Sequence, residues 1–315
     1  INARFLNGRI SFDGTFYQSN TYNQTFLSVM SPATGYSGFY VQAGNVRNRG
    51  VEMTLGYNDT FGKVNYSTHL TYTANQNKIV EMVHDYRNPI DNSLVNITEL
   101  TLKEVGDVYL REGYSMSDVF TTGILQRGRD GKLVEEGNGY QVDRSQRIRL
   151  GSADPDFTMG WRHDINYKNI SLGLMITGRF GGIVTSQTQA FMDAFGVSKV
   201  SAEARDNGGV MLDGHRYDAE RYYNTVGGQG LMSYYTYDAT NVRLQELSLT
   251  YSLPKKWLGD VFNNATISFV GRNLFMFYRK APFDPDMNGS TGTYNRSDFF
   301  MAPSLRNLGF SIKFS

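Results

Sequence analysis

FGKVNYSTHLTYTANQN, residues 61–77, alternates apolar and polar side chains at almost every step. Val64, Tyr66, Leu70 and Tyr72 fall on even positions, whereas lysine, asparagine, serine, histidine and threonine side chains fall on odd positions. A period of two predicts an extended strand with one apolar and one polar face. The pattern runs well beyond the usual length of about five or six residues for strands in soluble domains. The apolar face therefore needs either a packed protein layer or a lipid bilayer as its neighbour.

The composition of the 315-residue chain favours a β-rich fold with many turns. Aromatic residues make up 14%, and there are 33 glycines but only 7 prolines. The formal net charge is +1, which argues against a nucleic-acid partner, because such a surface needs clustered positive charge. The absence of cysteine excludes disulfides, thiolate metal sites and cysteine nucleophiles. No apolar run approaches the roughly 18 residues of a membrane-spanning helix.

The alternating pattern recurs along the chain and predicts about eight long strands. Each is close to the nine to eleven residues that a tilted strand needs to cross a bilayer. Before Gln245 the segment VRL runs in the opposite phase to the residues that follow, so a β-bulge is expected there. The other segments are GRISFDGTFYQS (8–19), RGVEMTLGYND (49–59), FTMGWRHDINYK (157–168), NISLGLMITGRF (169–180), QELSLTYSLP (245–254), NATISFVGRNLFMF (264–277) and RNLGFSIKFS (306–315).

Short and long connections between these strands alternate. Outer-membrane barrels show the same arrangement, with short periplasmic turns and long extracellular loops. The shorter links are expected at 58–63, 167–169 and 254–264, and the long ones at about 21–46, 77–156, 183–241 and 278–304.

The polar faces of the strands carry many charged and amide side chains. A water-filled or plugged lumen accommodates such groups, whereas a dry interior does not. They include Asp13, Glu52, Asn65, Arg162, Asp164 and Glu246. The predicted fold class is therefore all-β, a transmembrane antiparallel β-barrel with long extracellular loops, whose apolar face meets lipid. A soluble antiparallel β protein is the alternative.

Several stretches resemble the SusC/RagA type of TonB-dependent outer-membrane transporter. They follow one another in the order expected for the C-terminal part of that family, and together they cover most of the chain. They are AGNVRNRGVEMTLGYN (43–58), LGSADPDFTMGWRHDINYKNISLGLMITGRFGG (150–182), TNVRLQELSLTYSLPKKWL (240–258), VGRNLFMF (270–277), APFDPDMN (281–288) and SLRNLGFSIKF (304–314).

The resemblance implies that residues 1–315 are the C-terminal part of one barrel domain of about 22 strands, whose plug and N-terminal strands are not in this chain. It further implies TonB-dependent active import of bulky nutrients, oligosaccharides or oligopeptides, across a Bacteroidetes-type outer membrane, and not an enzymatic activity. The implied partners are a SusD-like surface lipoprotein that acts as a lid, TonB acting through the absent N-terminal part, membrane lipid and the cargo. The resemblance does not name the cargo.

A tyrosine-rich stretch at 217–238 is the candidate for contacts with ligand or lid. Flat amphipathic rings can stack on sugars or peptide groups at low entropic cost. An interfacial aromatic girdle with loop packing is the structural alternative. The six rings belong to Tyr217, Tyr222, Tyr223, Tyr234, Tyr235 and Tyr237.

Three other features are candidates for more specific roles. DPDMNGSTGTYN (284–295) begins like a calcium loop, with Asp284, Asp286 and Asn288, but it lacks the bidentate glutamate at position twelve, so a loop turn is favoured. Phe314 is the candidate aromatic signal for barrel assembly. FMDAFGVSKVSAEARDNGG (191–209) is expected to contain a short helix.

No catalytic constellation and no cofactor site can be argued from residue spacing. The four histidines, at 69, 84, 163 and 215, show neither metal-binding spacing nor a carboxylate partner pattern. Two other hypotheses remain open at this point. One is a self-contained small outer-membrane barrel, for example an enzyme, whose first and last strands would pair. The other is a soluble carbohydrate-binding β domain.

Overall fold

In the computed structural model nine antiparallel strands form a continuous meander, and two short strands, Glu99–Leu102 and Val108–Arg111, extend the same sheet beside the strand Ile10–Val29. The structure describes residues 1–29, 33, 35–87, 92–102, 108–258, 262–286 and 297–314. Each strand pairs with its neighbours in the chain. The strands are β1 (Asn2–Phe5), β2 (Ile10–Val29), β3 (Gly38–Phe61), β4 (Val64–Glu81), β5 (Phe157–Tyr167), β6 (Ile170–Phe180), β7 (Asn241–Ser252), β8 (Ala265–Arg279) and β9 (Asn307–Phe314).

The apolar positions of neighbouring strands lie in register and form continuous rows on one face. One row crosses seven strands, from β3 to β9, and its members are largely solvent-accessible. Met53, on another row of the same face, is 42% exposed, and Ile312 is 49% exposed. No second protein layer covers these rows in the described part of the chain, as a lipid-facing wall requires. The first row consists of Phe61, Val64, Tyr167, Ile170, Tyr251, Ile267 and Ile312.

Several polar side chains on this apolar face bond to one another. His163, which interrupts the predicted apolar row of β5, bonds through Nδ1 to the Tyr66 hydroxyl at 2.8 Å. The indole Nε1 of Trp161 donates to Thr68 Oγ1 at 3.0 Å. Because hydrocarbon offers no hydrogen bonds, such pairing lowers the cost of placing polar groups there.

The opposite face carries the charged side chains that the sequence predicted for a lumenal surface, and several of them form ion pairs within and between strands. Arg162 donates two hydrogen bonds to Asp164, at 2.8 and 2.9 Å. Glu246 accepts from Arg272 at 3.1 Å and lies 3.9 Å from Arg162. Each of these charges therefore has an opposite charge beside it.

The connections lie at two ends of the sheet according to their length. At one end are the turns 6–9, 62–63 and 168–169 and the link 253–264, which contains a 3₁₀ helix, Lys255–Trp257. At the other end are the connections 30–37, 82–156, 181–240 and 280–306. Strands β1 and β9 lie at or near opposite ends of the sheet and do not pair with each other. The all-β antiparallel fold class is confirmed, with the barrel unclosed within this chain.

The predicted loop 21–46 is wrong. Strand β2 continues to Val29 and β3 begins at Gly38, so most of that stretch is paired strand; β4 likewise runs beyond residue 77 to Glu81. Above the bilayer the outer face no longer needs apolar residues. The alternation of apolar and polar residues in the sequence therefore fades, although the strands continue to pair. The inner face of this extension is covered by a cluster that joins Val46 and Ile79 to residues of the 98–116 segment.

The bulge expected near Gln245 is confirmed. The pairing of β7 with β6 and with β8 shifts register between Leu244 and Glu246, so Gln245 has no partner in either ladder. The extra residue restores the apolar side chains of both halves of the strand to one face.

Short strands and helices build the extracellular connections. No helix in the described ranges has the length and apolar character needed to cross a bilayer. The helices are α1 (Gln187–Ala194), α2 (Lys199–Asp206) and α3 (Ala219–Val226), with a 3₁₀ turn at Met232–Tyr234. The short strands are Val83–Arg87, Leu94–Ile97, Glu99–Leu102, Val108–Arg111, Asp118–Leu125, Glu135–Glu136, Gly139–Tyr140, Val142–Ser152, Ile183–Ser186, Val210–Leu212, His215–Tyr217, Thr236–Asp238 and Ser297–Asp298.

Arginine placed on the lipid-facing rows should destabilise the wall in a depth-dependent way. Leu70→Arg lies in a central row and should cost about 2–4 kcal/mol, whereas Leu172→Arg, nearer the periplasmic margin, should cost less. The matched control is Ser171→Arg on the lumenal face, which should change stability little. Equilibrium unfolding in lipid vesicles measures all three, and equal stability of Leu70→Arg and Ser171→Arg would contradict this orientation.

Candidate functional site in the extracellular loops

Two long connections, 82–156 and 181–240, fold together above the wall. Their shared core joins side chains from the 118–152 hairpin to side chains of α1 and α3. Leu231 and Val226 are almost fully buried at its centre. The loops therefore form a structured unit with its own core instead of separate flexible excursions. The core also contains Leu125, Leu133, Tyr140, Ala190, Tyr217, Ala219, Tyr222, Tyr223 and Tyr235.

Side-chain caps explain why the loop sequence forms three short helices. Ser186, Ser198 and Asp218 are the N-cap residues of α1, α2 and α3, and each accepts a hydrogen bond from a backbone N–H of its first turn. The short helix predicted within 191–209 is confirmed: this stretch contains the end of α1 and the whole of α2.

The structure brings the six candidate tyrosines together, but mainly inside the loop core. Tyr217, Tyr222, Tyr223 and Tyr235 are buried, while Tyr234 and Tyr237 are half-buried. Two of the hydroxyls accept hydrogen bonds from the backbone of the neighbouring hairpin: Tyr217 from Leu133 N at 3.1 Å and Tyr234 from Leu125 N at 3.1 Å. Most of these rings therefore stabilise the loop fold. Contact with ligand or lid stays a prediction, and it concerns chiefly Tyr234 and Tyr237.

A buried carboxylate, Asp193, lies at the junction of α1 and α2. It accepts hydrogen bonds from Gln189 Nε2 at 2.7 Å and from the hydroxyl of Ser198. Burial raises the pKa of Asp193 above its ordinary value, although these hydrogen bonds act in the other direction. Burial likewise raises the pKa of the neighbouring Tyr235, and the charge of Asp193 adds to this effect. Asp193 therefore links α1 to α2, because its carboxylate bonds both to Gln189 of α1 and to Ser198, the N-cap residue of α2.

An open cavity of about 780 Å³ lies beside the loop core. Its walls come from the 118–152 hairpin, the residues Thr101, Val108 and Tyr109, the start of α1 and the glycine-rich turn after α3. Arg147 lies over the ring of Tyr109, 4.1 Å from its centroid, and Arg144 donates to the backbone oxygen of Gln229 at 3.3 Å. Guanidinium, amide and hydroxyl groups thus line a space large enough for a small ligand. The sequence interpretation missed these residues, because only the fold brings the segments together.

The guanidinium group of Arg243 lies between Asp284 and Asp286, two of the calcium-loop candidates, where a bound metal ion would otherwise lie. Its Nη2 lies 2.9 Å from Asp284 Oδ1 and 2.6 Å from Asp286 Oδ2. Burial acts to raise the pKa of Asp284, but hydrogen bonds and the charge of Arg243 outweigh it and hold the pKa below its ordinary value. Asn288 lies outside the described residues. The calcium loop stays a prediction; the observed contacts tie the last long connection to the wall through an arginine.

Phe314 lies near the end of β9, where it pairs in register with Ala265. Its ring is 57% exposed and lies 4.9 Å from that of Phe262, centroid to centroid. The residue therefore belongs to the lipid-facing surface at the periplasmic margin, and its role as an assembly signal stays a prediction.

The described residues contain no group of three or more histidines, cysteines or carboxylates that could hold a metal ion. One histidine has a carboxylate partner that the sequence pattern did not indicate: Nε2 of His84 lies 2.7 Å from Glu112 Oε2. The hydrogen bond with Glu112 raises the pKa of His84. This pair is formed by residues 28 positions apart, so spacing along the chain could not indicate it.

Removing the Tyr222 ring should loosen the loop unit without unfolding the wall. Tyr222→Ala should cost about 3–5 kcal/mol, as for other buried aromatic side chains. Hydrogen exchange of the 181–240 amides measures this loss, and heat-modifiable migration in detergent reports the wall separately. Tyr22→Ala, at a ring that is 65% exposed, is the control. Equal exchange in both variants would contradict a packing role for Tyr222.

The stability of the loop unit should decrease as pH rises through the folded-state pKa of Asp193. A raised carboxyl pKa means that the folded state binds the proton more tightly than the unfolded state. Ionisation of Asp193 therefore destabilises the folded state as the pH rises above 3.8, the ordinary pKa of this carboxyl group. Asp193→Asn cannot ionise and should remove this dependence. Protease resistance of the 187–206 region, measured between pH 4 and 8, tests it. A wild-type resistance that rises with pH would contradict the sign.

Comparison with known proteins places this geometry in a family. The family model described as TonB dependent receptor-like, beta-barrel matches residues 1–177. Two curated relatives from Formosa agariphila, TonB-dependent receptor P3 and TonB-dependent receptor P26, are each 25% identical over the whole of this chain. The chain covers 33% and 34% of their respective lengths, so it spans about a third of these relatives.

Solved structures with the same fold include two described as the RagAB peptide transporter and as the RagAB peptide importer in the "open-open" state. The first covers 99% of this chain with a TM-score of 0.68 and 16% identity, and the second covers 100% with a TM-score of 0.67 and 18% identity. This chain matches 34% of each of those chains. Because the family model covers more than half of its residues, the chain belongs to the TonB-dependent receptor-like β-barrel family.

Proposed function

We propose that this chain forms part of the barrel wall and extracellular vestibule of a TonB-dependent importer in a bacterial outer membrane. Residues 1–315 would be the C-terminal part of a single barrel domain that has further strands, a plug and a TonB-contacting segment. The observation that carries this proposal is the open sheet. Its lipid-facing rows are continuous across seven strands, yet its first and last strands do not pair.

The lumenal face suits the passage of hydrated cargo. Several of its charges are neutralised in pairs, such as Arg162 with Asp164 and Arg272 with Glu246, which lowers the net charge of this part of the wall. A solute that keeps part of its water shell can pass such a surface without losing many hydrogen bonds. The activity in this proposal is transport, and no reaction is assigned to the chain.

Bulky nutrients, either oligosaccharides or oligopeptides, are the proposed cargo. The RagAB structures are described as a peptide transporter, which supports the peptide alternative by fold similarity alone. The loop cavity offers guanidinium and amide groups at Arg144, Arg147, Gln187 and Gln229. These groups can bind the hydroxyls of a sugar or the carbonyls of a peptide. Both classes therefore remain in the proposal.

A SusD-like surface lipoprotein is the proposed lid, and TonB is the proposed source of energy through the part of the barrel domain outside this chain. The folded loop unit supports the first partner, since a lid needs a stable rim on which to close. Exposed aromatic residues Phe191, Phe299 and Phe300, whose ring centroids lie within about 6 Å of one another, form an apolar patch on that rim.

A self-contained small barrel is the second candidate function class considered from the sequence. It requires the first strand to pair with the last. In the described residues β9 pairs only with β8, and β1 pairs only with β2. This geometry favours the importer.

Uptake of labelled oligosaccharides and oligopeptides by cells that make the protein tests the proposal. One cargo class should enter against its gradient, and a protonophore that collapses the inner-membrane gradient should abolish entry. Arg147→Ala with Gln229→Ala should lower uptake of the true cargo several-fold, because both groups line the cavity.

The matched control is Lys199→Ala with Glu203→Ala, a pair on the exposed surface of α2. Control cells should take up cargo at the wild-type rate. Uptake that continues unchanged after addition of the protonophore would contradict TonB-dependent import.

A further inference from the structure

Two arginines that line the loop cavity, Arg144 and Arg147, lie at a bulge in the 118–152 hairpin. Asp143 pairs with Ile124 and Arg147 pairs with Thr122, so three residues of one strand lie opposite a single glycine of the other. Nη1 of Arg144 donates to the backbone oxygen of the same Thr122 at 3.3 Å. The bulge therefore brings both guanidinium groups to one short segment of the cavity wall.

The glycine opposite the bulge, Gly123, allows Arg144 to lie close to the loop core. Its φ of +107° is a conformation that other residues rarely adopt, and a Cβ there would lie 2.8 Å from Leu231 Cδ2 and 3.2 Å from Arg144 Nη1. Nη2 of Arg144 donates to the backbone oxygen of Gln229 at 3.3 Å. Neutral acceptors thus hold Arg144 in place and leave its charge uncompensated.

Arg147 is also held by uncharged groups. Its guanidinium lies 4.1 Å from the centroid of the Tyr109 ring, and its Nη1 donates to Thr101 Oγ1 at 3.4 Å. The hydroxyl of Tyr109 donates to Glu99, but Glu99 forms no ion pair with Arg147 in the described part of the chain. A guanidinium has more N–H donors than these contacts use, so Arg147 can donate to a ligand in the cavity.

Neither of these two arginines has a carboxylate partner among the residues that the structure describes. Arg144 and Arg147 form no ion pair within 4.0 Å there. Three other arginines of the loop unit differ from them, because each is paired within the protein. These pairs are Arg127 with Asp213, Arg149 with Asp118 and Arg221 with Glu135.

The carboxylate that lines the cavity, Asp118, does not neutralise Arg144 or Arg147. Nη2 of Arg149 donates to its Oδ1 at 2.7 Å, and the backbone N–H of Ser115 donates to its Oδ2 at 3.0 Å. Both of its oxygens therefore have partners, and its side chain is only 2% exposed. The cavity thus presents positive charge to a molecule that enters it.

We propose that Arg144 and Arg147 bind a carboxylate of the cargo, so that the importer selects acidic molecules. This selectivity rests on the proposed function of import and adds a chemical class to its cargo. Guanidinium groups bind carboxylates through charge-assisted hydrogen bonds that are often bidentate. The side-chain amides of Gln187 and Gln229 also line the cavity, and they can donate to and accept from the neutral part of the same molecule. A uronic acid in an oligosaccharide and an acidic residue in an oligopeptide present the same carboxylate.

Methyl esterification of the cargo tests this selectivity, because it removes the negative charge and keeps the rest of the molecule. The full-length protein, purified from outer membranes in detergent, is incubated with a partial hydrolysate of polygalacturonate or with a tryptic digest of serum albumin. Each mixture is used before and after esterification, and mass spectrometry quantifies the retained molecules. The wild-type protein should retain the native molecules of one mixture about tenfold better than their esters, since a hydrogen bond to a charged group contributes about this factor.

Variants of the two arginines separate charge recognition from the shape of the cavity. Arg144→Gln with Arg147→Gln should lower retention of the native mixture about tenfold and leave retention of the esters unchanged. Arg147→Gln alone, which keeps the contacts of Arg144 with the loop core, should lower native retention in the same direction. Arg147→Lys keeps the charge without the planar fork, so it should keep part of the preference.

The matched control is Arg129→Gln, which removes an exposed cation from the same hairpin at a position outside the cavity lining. It should retain both forms of the mixture like the wild-type protein, and heat-modifiable migration shows that the wall of each variant is folded. The mixture that is retained shows whether a sugar or a peptide supplies the carboxylate.

Equal retention of native and esterified molecules by the wild-type protein would overturn the proposal, as would retention of neither mixture. A double variant that still prefers the native molecules tenfold, or that loses native and esterified molecules equally, would also overturn it. Binding in detergent needs no proton gradient. Uptake that ignores the protonophore would therefore contradict import and leave this binding result unchanged, so the two failures are distinguishable.

Discussion

The structure depends on one constraint, which is that a backbone in hydrocarbon must satisfy its hydrogen bonds within the protein. No water reaches the N–H and C=O groups there, and an unpaired group costs several kcal/mol. Each wall strand therefore pairs with its neighbour along the membrane-spanning length, as the unbroken ladders between β3, β4, β5 and β6 show. The meandering order follows, because the next strand in the chain is the nearest available partner. The same constraint makes an open sheet edge in the membrane unfavourable.

Outside the membrane the chain must find other means of stability. The loops pack against one another around Tyr222, Val226 and Leu231, and the extended ends of β3 and β4 are covered by the 98–116 segment. These clusters are ordinary hydrophobic cores. Hydrogen bonds at the helix N-caps and to the buried carboxylate of Asp193 satisfy the polar groups beside them. The wall thus derives its stability from lipid and lateral pairing, whereas the vestibule derives its stability from burial. Such a division lets the vestibule vary in shape without altering the wall.

Charge is treated differently on the two faces of the wall. On the lumenal face, Arg162 and Arg272 are each held by a carboxylate. Paired charges there limit strong binding that would retain an ionic solute. On the outer face, Arg47 and Lys78 stand immediately above the apolar rows without carboxylate partners in the described part of the chain. The end of the apolar rows is therefore marked by cations on the same face.

The sequence by itself determined the strands, their two faces, the bulge at Gln245 and the alternation of short and long connections, because side chains on a strand report its environment with a period of two. It did not determine where β2 ends or where β3 begins. The alternation of apolar and polar residues stops at the membrane surface, whereas the pairing of the two strands continues as far as Val29 and Gly38. Only the tertiary structure showed that most of the candidate tyrosines pack inside the loops, and that Arg243 stands between Asp284 and Asp286. Contacts between residues so far apart in the chain depend on how the loops fold over one another, and no local pattern records that.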